Sequence, residues 1–571
     1  MKQTLLVLTV AAVLGACGGG GGNSGTCSGS GGVCKPVSSS PTPPTNAGSG
    51  TIPAPDAIDT APPPSSASVA QQCEAPRPAG TIDPLSGKPY GDIQGSLELE
   101  KQWIRAYVNE TYLWFDEVPA VNSAFYAIGN TVPYIQPSNN AATTRTLANN
   151  SDVVTAYFNS QRTVATTASG KPKDQFHFTY PTSVWVDLST KGASVGFGVD
   201  IALLSASPPR KAVVAIVTPG SVAAQNNIAR GAIIDTVNGV DVANGSDVAT
   251  LNEGLFSPMA GKAYTLVIRD NATASPRTVT LSAGNTTSTP VQNVGTLPAP
   301  NASVGYMLFN EHIATAEGQL VSAVNQLKAA NNGSGITDLV LDIRYNGGGY
   351  LDIASELAYM IAGSAQTTGK VFEKLAFNSK NPFGLTPAQA STPFFTTTLG
   401  FAGSPAGQPL PQLGLSKVYV LTGNGTCSAS ESIINGLRGA GVNVIQIGNT
   451  TCGKPYGFYP TDNCSTTYFT VQFKGVNNAG YGDYADGFVP GGGSAANNLP
   501  GCQVADDFGH ALGDPSEGRL AAALQYRANG SCPAAVASSV RQLAWSAVKS
   551  GRDAPLYRTP FQENRFYRSP R

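Results

Sequence analysis

The stretch TGNGTCSASESIINGLRG, residues 422–439, places small hydroxyl and thiol side chains between glycines, directly before an amphipathic helical pattern. A serine hydroxyl is a weak nucleophile at neutral pH, so it needs a neighbouring base and donors that stabilise the negative oxygen of a tetrahedral intermediate. The unpaired N–H groups of a helix N-terminus supply such donors, and small side chains let a substrate carbonyl come close. The pattern therefore predicts a sharp strand-to-helix turn at 422–428 that presents Ser428 as a nucleophile, with the N–H of Ala429 as one donor.

Two other uses of this stretch are compatible with the residues. Ser428 could serve only as the N-cap of the helix, which is a common role of serine. Cys427 directly precedes it and could be a thiol nucleophile, but no histidine or other activator lies nearby in the sequence. A structural disulfide is therefore the favoured use of Cys427.

The elements that would position Ser428 alternate between strand and helix patterns. From residue 303 the chain has a strand, a helix, a strand, a glycine loop and a helix, in the segments VGYMLFN, EGQLVSAVNQLKAA, ITDLVLDI, RYNGGG and YLDIASELAYMIAG. The alternation resumes with the strands KVYVLT and VNVIQIG on either side of residues 422–439. Such alternation of near-continuous apolar strands with helices predicts a parallel sheet that is covered on both faces. A last helix is expected within residues 512–530, where Asp514, Pro515 and Glu517 provide a helix start.

Residues 73–185 are expected to form a small, mainly helical domain. Within LELEKQWIRAYVNETYLWFDEVP, the residues Leu99, Trp103 and Tyr107 lie four apart, which is helical periodicity. A second helix fits DVVTAYFNSQ at 152–161. We interpret the aromatic side chains of both helices as core.

The N-terminus MKQTLLVLTVAAVLGAC has the lysine, apolar run and small residues of an export signal, and the run is too short to span a bilayer. The segment LGAC at 14–17 resembles a bacterial lipoprotein box, which implies removal of residues 1–16 and acylation of Cys17 as a membrane anchor. A plain secretory signal is the alternative. No aspartate follows Cys17, so we expect an outer-membrane lipoprotein that faces the periplasm or the cell surface. Residues 17–72, rich in Gly, Ser, Pro and Ala, are expected to be a disordered tether.

Composition restricts the partners and the disulfides. A formal net charge of -1 and a charged fraction of 12% leave no basic face for nucleic acid. The chain has three histidines and no His-Glu-x-x-His motif, so no zinc site is expected. Removing Cys17 from the nine cysteines leaves an even number, which suits disulfides in an exported chain. Short spacings favour the pairs Cys27–Cys34, Cys452–Cys464 and Cys502–Cys532, although spacing does not determine connectivity.

Residues 191–286 contain several short β-rich runs separated by turn signals. The order of GFGV, a strand, PGSVAAQNNIARG, IIDTVNGVDV and a helix near 246–255 resembles a PDZ domain. The resemblance implies that backbone N–H groups of the GFGV loop bind the C-terminal carboxylate of a peptide, which adds as a strand to the sheet edge. The matching positions are Gly196, Phe197, Gly198 and Val199. Ala232 departs from the aspartate found in most protease relatives, which affects a turn more than the groove.

The motifs DLVLDIRYNGGG, TCSASESIINGLRG and GNTTCGKPYGF, behind a PDZ-like region, resemble the C-terminal processing peptidases, or tail-specific proteases, of serine peptidase family S41. The resemblance covers about residues 96–530. It implies a multidomain α/β protein with a small helical N-terminal domain, a β-rich PDZ domain and, at 300–532, a crotonase-like α/β catalytic core with a mainly parallel sheet. It also implies a Ser-Lys dyad in which Ser428 attacks the substrate and Lys454 removes its proton.

The resemblance also assigns the second oxyanion donor to the glycine loop. Gly348 is the matching position, and Gly349 is the near alternative. A side chain at either position would block the approach of the backbone to the substrate. Three residues of this motif are expected to hold the loop together rather than to perform chemistry: Asp342, Arg344 and Asn346.

Lys454 can act as a base only when it is neutral, so the ordinary lysine pKa of about 10.4 must be lowered by burial or by nearby positive charge. An exposed, solubilising lysine is the alternative. Many family members carry a glutamine four residues after the lysine to orient it, and this chain has Phe458 there. Another group must then position the amine, and the sequence does not choose between the hydroxyls of Ser430 and Ser432.

Together these features predict an exported, lipid-anchored serine endopeptidase that captures polypeptides, through their C-termini at the PDZ domain, and needs no metal or organic cofactor. The alternative from another class is a noncatalytic scaffold lipoprotein that keeps the fold. Phe458 favours that alternative, whereas intact Ser428 and Lys454 oppose it. The histidines, His177, His312 and His510, are interpreted as ordinary core or surface residues, with His177 also a candidate for substrate contact. Residues 533–571 are expected to be a peripheral tail.

Overall fold

The computed structural model describes residues 59, 61–135, 142–167, 169–191 and 193–533. The predictions of a signal peptide, of acylation at Cys17, of a Cys27–Cys34 pair and of a C-terminal tail fall outside these residues, apart from residue 533. Within them, no helix is both long and apolar enough to cross a membrane.

A six-stranded sheet forms the centre of the region predicted as the catalytic core. In spatial order its strands are Val291–Thr296, Val304–Phe309, Asp338–Asp342, Lys417–Thr422, Asn443–Gly448 and Gly501–Gln503. The first pair is antiparallel and the other four pairs are parallel. The helices Ala316–Ala329, Leu351–Ala362 and Ala429–Ala440 share one hydrophobic cluster with the sheet, and Gly518–Asn529 shares another. Met307 belongs to the first cluster and Tyr306 and Leu308 to the second, which is why this strand has no polar face.

Three loops that carry the predicted site residues leave the same edge of this sheet. They are the glycine loop (residues 343–350), the elbow (423–428) and the lysine segment (449–458), and each follows one of three neighbouring parallel strands. Carboxyl ends of parallel strands meet at one edge of a sheet, which is where ligand sites form in α/β folds. Parallel pairing therefore brings together residues that are far apart in sequence.

Smaller sheets surround the central one. A four-stranded sheet consists of Ser391–Pro393, Val371–Phe377, Phe473–Val476 and Tyr456–Gly457, and a three-stranded sheet of Thr461–Asn463, Thr466–Phe469 and Phe178–Pro181. Short elements are the strands Val489–Pro490 and Asn498–Leu499, the helix Ser364–Thr367, and the 3-10 turns Phe115–Glu117, Ser123–Phe125, Asn331–Gly333 and Phe401–Gly403. The four-stranded and the three-stranded sheet extend the core towards the N-terminal region.

The described part of residues 73–185, predicted as a small, mainly helical domain, pairs and packs with the core. It has two long helices, Leu97–Thr111 and Asn150–Ser160, where the periodicity predicts them, a short helix Thr182–Val186 continued by a π-turn Asp187–Lys191, and a hairpin of Thr131–Ile135 with Ala142–Thr146. Its strand Phe178–Pro181 pairs with Thr466–Phe469, so both regions share one hydrophobic cluster. The aromatic face of the first helix packs there: the ring of Trp103 lies 5.0 Å from that of Tyr468.

The folded body begins before residue 73, so the predicted boundary of the tether is wrong. A short helix, Ser66–Val69, buries Val69, and the N–H of Ser66 donates to Glu110 at 2.8 Å. The strand Gln72–Cys73 pairs with Ile93–Gln94. These few contacts are enough to fold the segment because the rest of the body provides the core against which it packs.

The region predicted as a PDZ domain has its own hydrophobic cluster. Its strands, in spatial order, are Arg277–Ser282, Ala263–Arg269, Ile233–Val237, Lys211–Val217 and Val199–Ser205, with Val240–Asp241 beside Ile233–Val237. The strand Ala193–Gly196 pairs with Gly284–Thr287, and the helices are Val222–Gln225 and Val248–Phe256. The strand Val199–Ser205 therefore lies at the edge of the main sheet of this region.

Three disulfides occur in the described residues: Cys73–Cys464, Cys427–Cys452 and Cys502–Cys532. The predicted pair Cys502–Cys532 is confirmed, and so is a disulfide at Cys427. The predicted pair Cys452–Cys464 is wrong, because Cys452 lies beside the elbow whereas Cys464 lies in the turn of a hairpin that faces the N-terminal region. Spacing along the chain does not predict this pairing, because the sheets determine which cysteines lie close together in the fold.

Two carboxyl groups, Glu317 and Glu356, are buried together and receive N–H donors from the segment 399–401. Burial, then the charge of Glu317 and more weakly that of Asp352, raises the pKa of Glu356 to about 9 from its ordinary 4.5. Between these two values the unfolded chain loses a proton that the folded chain keeps. The contribution of Glu356 to stability is therefore greatest at acidic pH and falls as pH rises towards about 9.

We expect Glu356→Gln to become progressively more stable relative to the parent as pH rises from about 5 to about 8, by at most about 1.4 kcal/mol per pH unit. The amide keeps the neutral, hydrogen-bonding character of the protonated acid but does not titrate. Denaturant unfolding at several pH values measures the difference. Glu317→Gln is the matched comparison, and it should be less stable than the parent throughout, because Glu317 accepts three N–H groups. Parallel pH curves for Glu356→Gln and the parent would contradict the expectation.

Candidate active site

Ser428 lies between the strand Lys417–Thr422 and the helix Ala429–Ala440, with φ 63° and ψ -118°. A positive φ is uncommon for a residue with a side chain and marks a sharp, strained turn of the kind that presents a nucleophile. Ser428 is fully buried, and its Oγ has no hydrogen-bond partner among the described residues. Ser428 and Glu431 occupy the positions of a capping box, but the hydrogen bond between them runs from the Ser428 N–H to Glu431 Oε2 at 3.0 Å. The hydroxyl is thus left without the bond that a helix cap would make.

The carboxylate of Glu431 ties the elbow to the lysine segment. Besides the Ser428 N–H, it accepts the N–H groups of Gly453 at 2.9 Å and Lys454 at 2.8 Å, and the hydroxyl of Thr451 at 2.5 Å. Burial raises the pKa of the Glu431 carboxyl, and these donors oppose the rise by stabilising the ionised form. A single fully buried side chain therefore sets the spacing between the backbones of residues 428 and 454.

Lys454 is fully buried, so the alternative of an exposed, solubilising lysine is wrong. Its Nζ lies 4.4 Å from the ring centroid of Phe458 and 4.4 Å from that of Phe176. Burial among apolar groups favours a neutral amine, whereas aromatic faces attract a cation, so the two effects oppose each other. Phe458 stands at the position where related peptidases are expected to carry a glutamine, and its ring contacts the amine of Lys454. Sequence reasoning missed Phe176, which comes from the N-terminal region.

The two hydroxyls proposed to orient Lys454 differ in their environments. Ser430 Oγ donates to the carbonyl of Asn346 at 3.0 Å, so it is engaged with the glycine loop. Ser432 Oγ is buried and has no hydrogen-bond partner among the described residues. Ser432 is therefore the hydroxyl of the two that remains available to a neighbouring group.

The glycine loop has the backbone that its sequence predicts, with Gly348 at φ 108° and Gly349 at φ 134°. A Cβ at Gly349 would lie 2.4 Å from the carbonyl oxygen of His312, so a side chain cannot be accommodated there. The N–H of Gly348 donates to Asn346 Oδ1 at 3.0 Å in this structure. Use of that N–H for a substrate oxygen would require exchange of this bond, and the oxyanion roles of Gly348, Gly349 and Ala429 remain predictions.

Asn346 connects the glycine loop to the elbow. Its side chain donates to the carbonyl of Phe309 at 3.0 Å, and its backbone carbonyl accepts the N–H of Cys427 at 3.1 Å. Its Oδ1 also lies 3.1 Å from Nδ1 of His312, which is fully buried. Burial lowers the pKa of His312 to about 3, so this imidazole is neutral. Asn346 thus holds the loop as expected.

His312, which the sequence predicts as an ordinary core or surface histidine, contacts Asn346 of the glycine loop in the structure. Its position directly after the strand Val304–Phe309, which is next to the strand leading into that loop, was an available signal. His177 is fully buried, with its ring centroid 3.8 Å from that of Phe158. Its contact with a substrate stays a prediction. His510 is exposed beside Asp507.

A buried ionic cluster supports the base of the glycine loop. Arg344 is fully buried and pairs with Asp342 at 2.9 Å, Glu517 at 2.7 Å and Asp506 at 2.9 Å. The sequence did not indicate Asp506 and Glu517 as partners of Arg344, because they lie 162 and 173 residues from it along the chain. Arg230, from the PDZ-like region, donates to the same Asp506 at 2.9 Å.

The PDZ-like region therefore contacts the candidate active site through the glycine loop. Arg230 donates to the hydroxyl of Tyr345 at 2.7 Å, and Tyr345 in turn bonds Asp506. Gly231 packs so closely that an added Cβ would lie 2.4 Å from the carbonyl oxygen of Phe508. These contacts join the PDZ-like region to the glycine loop.

The GFGV residues lie where the edge strand of the PDZ-like region begins. Gly196 ends one strand, Gly198 has φ 75°, and Val199 starts the strand Val199–Ser205. Phe197 is buried in the cluster of that region. The carbonyl of Gly198 accepts the N–H of Thr218 at 2.8 Å. The loop and the edge strand are thus adjacent, as strand addition by a peptide requires.

Cys427, Glu431 and Cys452 bring three potential metal-ligand atoms within 4.8 Å of one another. The two cysteines form a disulfide, and only a thiolate is an effective metal ligand. As long as the disulfide persists, this cluster is a cross-link and not a metal site.

The fold and the elbow together define a multidomain α/β protein with a buried serine at a strand-to-helix turn. Residues 303–471 match the sequence model of peptidase family S41. This segment, 169 of the 571 residues, is therefore similar to the peptidases of family S41. A comparison with curated proteins gives no match.

Three solved structures that the chain matches differ in how much of it they cover. A candidate S41 protease from Bacteroides fragilis is 21% identical with a TM-score of 0.50, covering 77% of this chain and 98% of that chain. The photosystem II D1 C-terminal processing protease is 17% identical with a TM-score of 0.38, covering 70% and 92%. The PDZ domain of a carboxy-terminal protease from Vibrio cholerae, in complex with peptide, is 18% identical with a TM-score of 0.14, covering 16% and 97%. The first of these likenesses supports the fold of the S41 proteases for most of the chain.

Proposed function

We propose that this protein is a serine-type endopeptidase that hydrolyses exported polypeptides with a Ser428–Lys454 dyad. The observation that carries the proposal is the shared carboxylate: Glu431 accepts the backbone N–H groups of Ser428 at 3.0 Å and of Lys454 at 2.8 Å. Both dyad residues are fully buried, and the serine hydroxyl has no hydrogen-bond partner among the described residues. A buried hydroxyl without a hydrogen-bond partner and a buried amine, on two segments that share one carboxylate, support the roles of nucleophile and base.

In the proposed mechanism the neutral amine of Lys454 takes the proton of Ser428 as Oγ attacks the scissile carbonyl. Backbone N–H groups of the glycine loop and of Ala429 stabilise the oxyanion. The amine product leaves with the proton carried by Lys454, and an acyl-enzyme remains. Water then attacks the ester, with Lys454 again as the base, and releases Ser428.

The PDZ-like region is proposed to bind the C-terminal carboxylate of the substrate through Gly196, Phe197, Gly198 and Val199. The substrate would add as a strand beside Val199–Ser205, whose edge position supports this mode. The contact of Arg230 with the glycine loop supports a second role, in which peptide binding shifts the population of domain arrangements. Unchanged rate and substrate choice after deletion of residues 191–286 would refute the contribution of this region.

Arg230→Ala is expected to lower the rate of protein cleavage about 10-fold, which corresponds to a coupling of roughly 1.4 kcal/mol. The substitution removes the bonds to Tyr345 and Asp506 that connect the PDZ-like region to the glycine loop. Steady-state cleavage of an unfolded protein measures the effect. Arg277→Ala is the matched control, because Arg277 pairs with Asp270 on the partly exposed surface of the same region. Equal rates for the two variants would show that the contact is not coupled to catalysis.

Export and acylation at Cys17 are part of the same proposal. Metabolic labelling with a radioactive fatty acid should mark the parent chain, and Cys17→Ala should lose the label and leave the membrane fraction. Labelling that persists in Cys17→Ala would argue against this anchor.

A noncatalytic peptide-binding scaffold is the second candidate function, and the replacement of the orienting glutamine by Phe458 is the observation in its favour. Incubation of the purified body with an unfolded protein, beside Ser428→Ala and Lys454→Ala variants, separates the two. The peptidase proposal expects fragments from the parent alone. A parent that cleaves nothing and behaves as the two variants do would support the scaffold.

A further inference from the structure

The disulfide Cys427–Cys452 connects the two segments that carry the proposed dyad. Cys427 is the residue before Ser428, and Cys452 lies two residues before Lys454. The two backbones also meet where the N–H of Cys452 donates to the carbonyl of Thr426 at 3.0 Å. A change in the distance between the two sulfur atoms would therefore change the positions of both Ser428 and Lys454.

Reduction of this bond would first change the packing. Two separate thiols cannot lie as close as two bonded sulfurs, because non-bonded heavy atoms repel one another inside about 3.5 Å. Cys427 is only 2% exposed, so the elbow and the lysine segment would have to move apart to accommodate both thiols. A displacement of about 1 Å at a catalytic group can lower a rate about 100-fold.

Reduction would also change the hydrogen bonding of Glu431. Cys452 Sγ lies 3.5 Å from Glu431 Oε2, and in the disulfide this sulfur carries no proton. A reduced Cys452 has an S–H donor, and a neighbouring carboxylate keeps a thiol protonated. The same oxygen accepts the N–H groups of Ser428 and Lys454. The thiol would therefore compete for the atom that aligns the two backbones.

We propose that Cys427 and Cys452 are positioning residues of the Ser428–Lys454 dyad, and that full peptidase activity requires their disulfide. This inference rests on the proposed function. It implies that the chain has low activity while reduced and gains activity in an oxidising compartment, where disulfides persist. Proteolysis is then suppressed until the bond has formed.

Opening of the bond is thiol–disulfide exchange with a dithiol reductant. Cys427 is buried and Cys452 is partly exposed, so the thiolate of the reductant attacks Cys452 Sγ. A mixed disulfide forms, and the Cys427 thiolate leaves and takes up a proton. The second thiol of the reductant then displaces Cys452 as a thiol and closes an intramolecular disulfide in the reductant. Two electrons and two protons pass to the protein, and re-oxidation reverses both steps.

The disulfide Cys502–Cys532 offers a matched control. It joins the edge strand Gly501–Gln503 to the chain that follows the helix Gly518–Asn529, so it cross-links the same domain at a different place. Its loss tests the general effect of removing a cross-link, because neither cysteine belongs to the elbow or to the lysine segment.

The test compares three proteins: the parent, Cys427→Ser/Cys452→Ser and Cys502→Ser/Cys532→Ser. For each, kcat and KM for an unfolded protein and the rate of fluorophosphonate labelling of serine are measured before reduction by dithiothreitol, after reduction and after re-oxidation. The parent should lose about 100-fold in kcat and in labelling on reduction, with little change in KM, and recover on re-oxidation. The Cys427→Ser/Cys452→Ser variant should be slow throughout and insensitive to the reductant. The Cys502→Ser/Cys532→Ser variant should respond as the parent does.

Near-parent kcat in Cys427→Ser/Cys452→Ser, or a parent that is unaffected by complete reduction of this bond, would overturn the proposal. A loss of activity that parallels unfolding, measured by circular dichroism, would also overturn it, and so would an equal loss in Cys502→Ser/Cys532→Ser. Either result would indicate that the disulfide only stabilises the fold. If the oxidised parent labels but does not cleave, the endopeptidase function fails, and the redox dependence of labelling still tests the positioning role. If it neither labels nor cleaves, both proposals fail.

Discussion

Replacing Lys454 with methionine is expected to lower kcat/KM for an unfolded protein by about 1000-fold or more. Loss of a general base costs about 100- to 10,000-fold in typical enzymes, and the serine hydroxyl has no hydrogen-bond partner among the described residues to replace the amine. Ser428→Ala should show a loss of similar size. Because the two groups act as a unit, the double variant should be no slower than either single variant. Steady-state kinetics on the three variants measure these losses.

Methionine fills most of the volume of the lysine stem and preserves the contacts with Phe176 and Phe458. The near-ultraviolet circular dichroism of Lys454→Met and its binding of a C-terminal peptide should therefore match those of the parent. A variant that keeps more than about a tenth of the parent rate would exclude Lys454 as the base. Additive losses in the double variant would indicate that the two residues act in separate steps.

Glu431→Gln is expected to destabilise the protein by about 3 kcal/mol and to lower kcat at least about 100-fold. An amide has one acceptor oxygen instead of two. Its NH₂ group would face N–H donors that face a carboxylate oxygen in the parent. The N–H groups left unsatisfied would be those of Ser428 and Lys454 if the NH₂ replaces Oε2, or that of Gly453 if it replaces Oε1. Either way, the carboxylate would no longer hold the elbow and the lysine segment together through both of its oxygens. Denaturant unfolding and single-turnover kinetics measure the two effects.

The matched control for this substitution is Glu253→Gln in the PDZ-like region. Glu253 pairs with Lys262, and both side chains are partly exposed, so a much smaller change in stability is expected and kcat should not change. If the two variants lose equal stability, the carboxylate of Glu431 does not have the structural role assigned to it. Parent-like kcat in a folded Glu431→Gln would remove the argument that it aligns the dyad.

Local patterns in the sequence were sufficient to predict many of the elements. The helices Leu97–Thr111 and Ala429–Ala440 and the strand Val304–Phe309 lie where periodicity and apolar runs predict them. The crowding of small residues before the second helix predicted the turn at Ser428, whose positive φ confirms a sharp elbow. These features depend on residues within a few turns of one another, so the sequence contains the required information.

Contacts between distant residues could not be predicted in this way. Cys73 pairs with Cys464 across 391 residues, and no pattern around either cysteine indicates the other. The ring of Phe176 lies against Lys454 because a strand of the N-terminal region joins a sheet of the core. A domain boundary predicted at residue 185 separated these two regions, whereas they share one hydrophobic cluster.

The sequence by itself thus determined many of the elements, the order of the motifs and the residue types available for nucleophilic chemistry. Only the tertiary structure decided which side chains surround the amine of Lys454, which carboxylate aligns it with Ser428 and which cysteine is bonded beside them. The physical reason is that helical and strand periodicity are properties of short segments, whereas the spacing of loops at one sheet edge depends on how all the strands and their covering helices pack together.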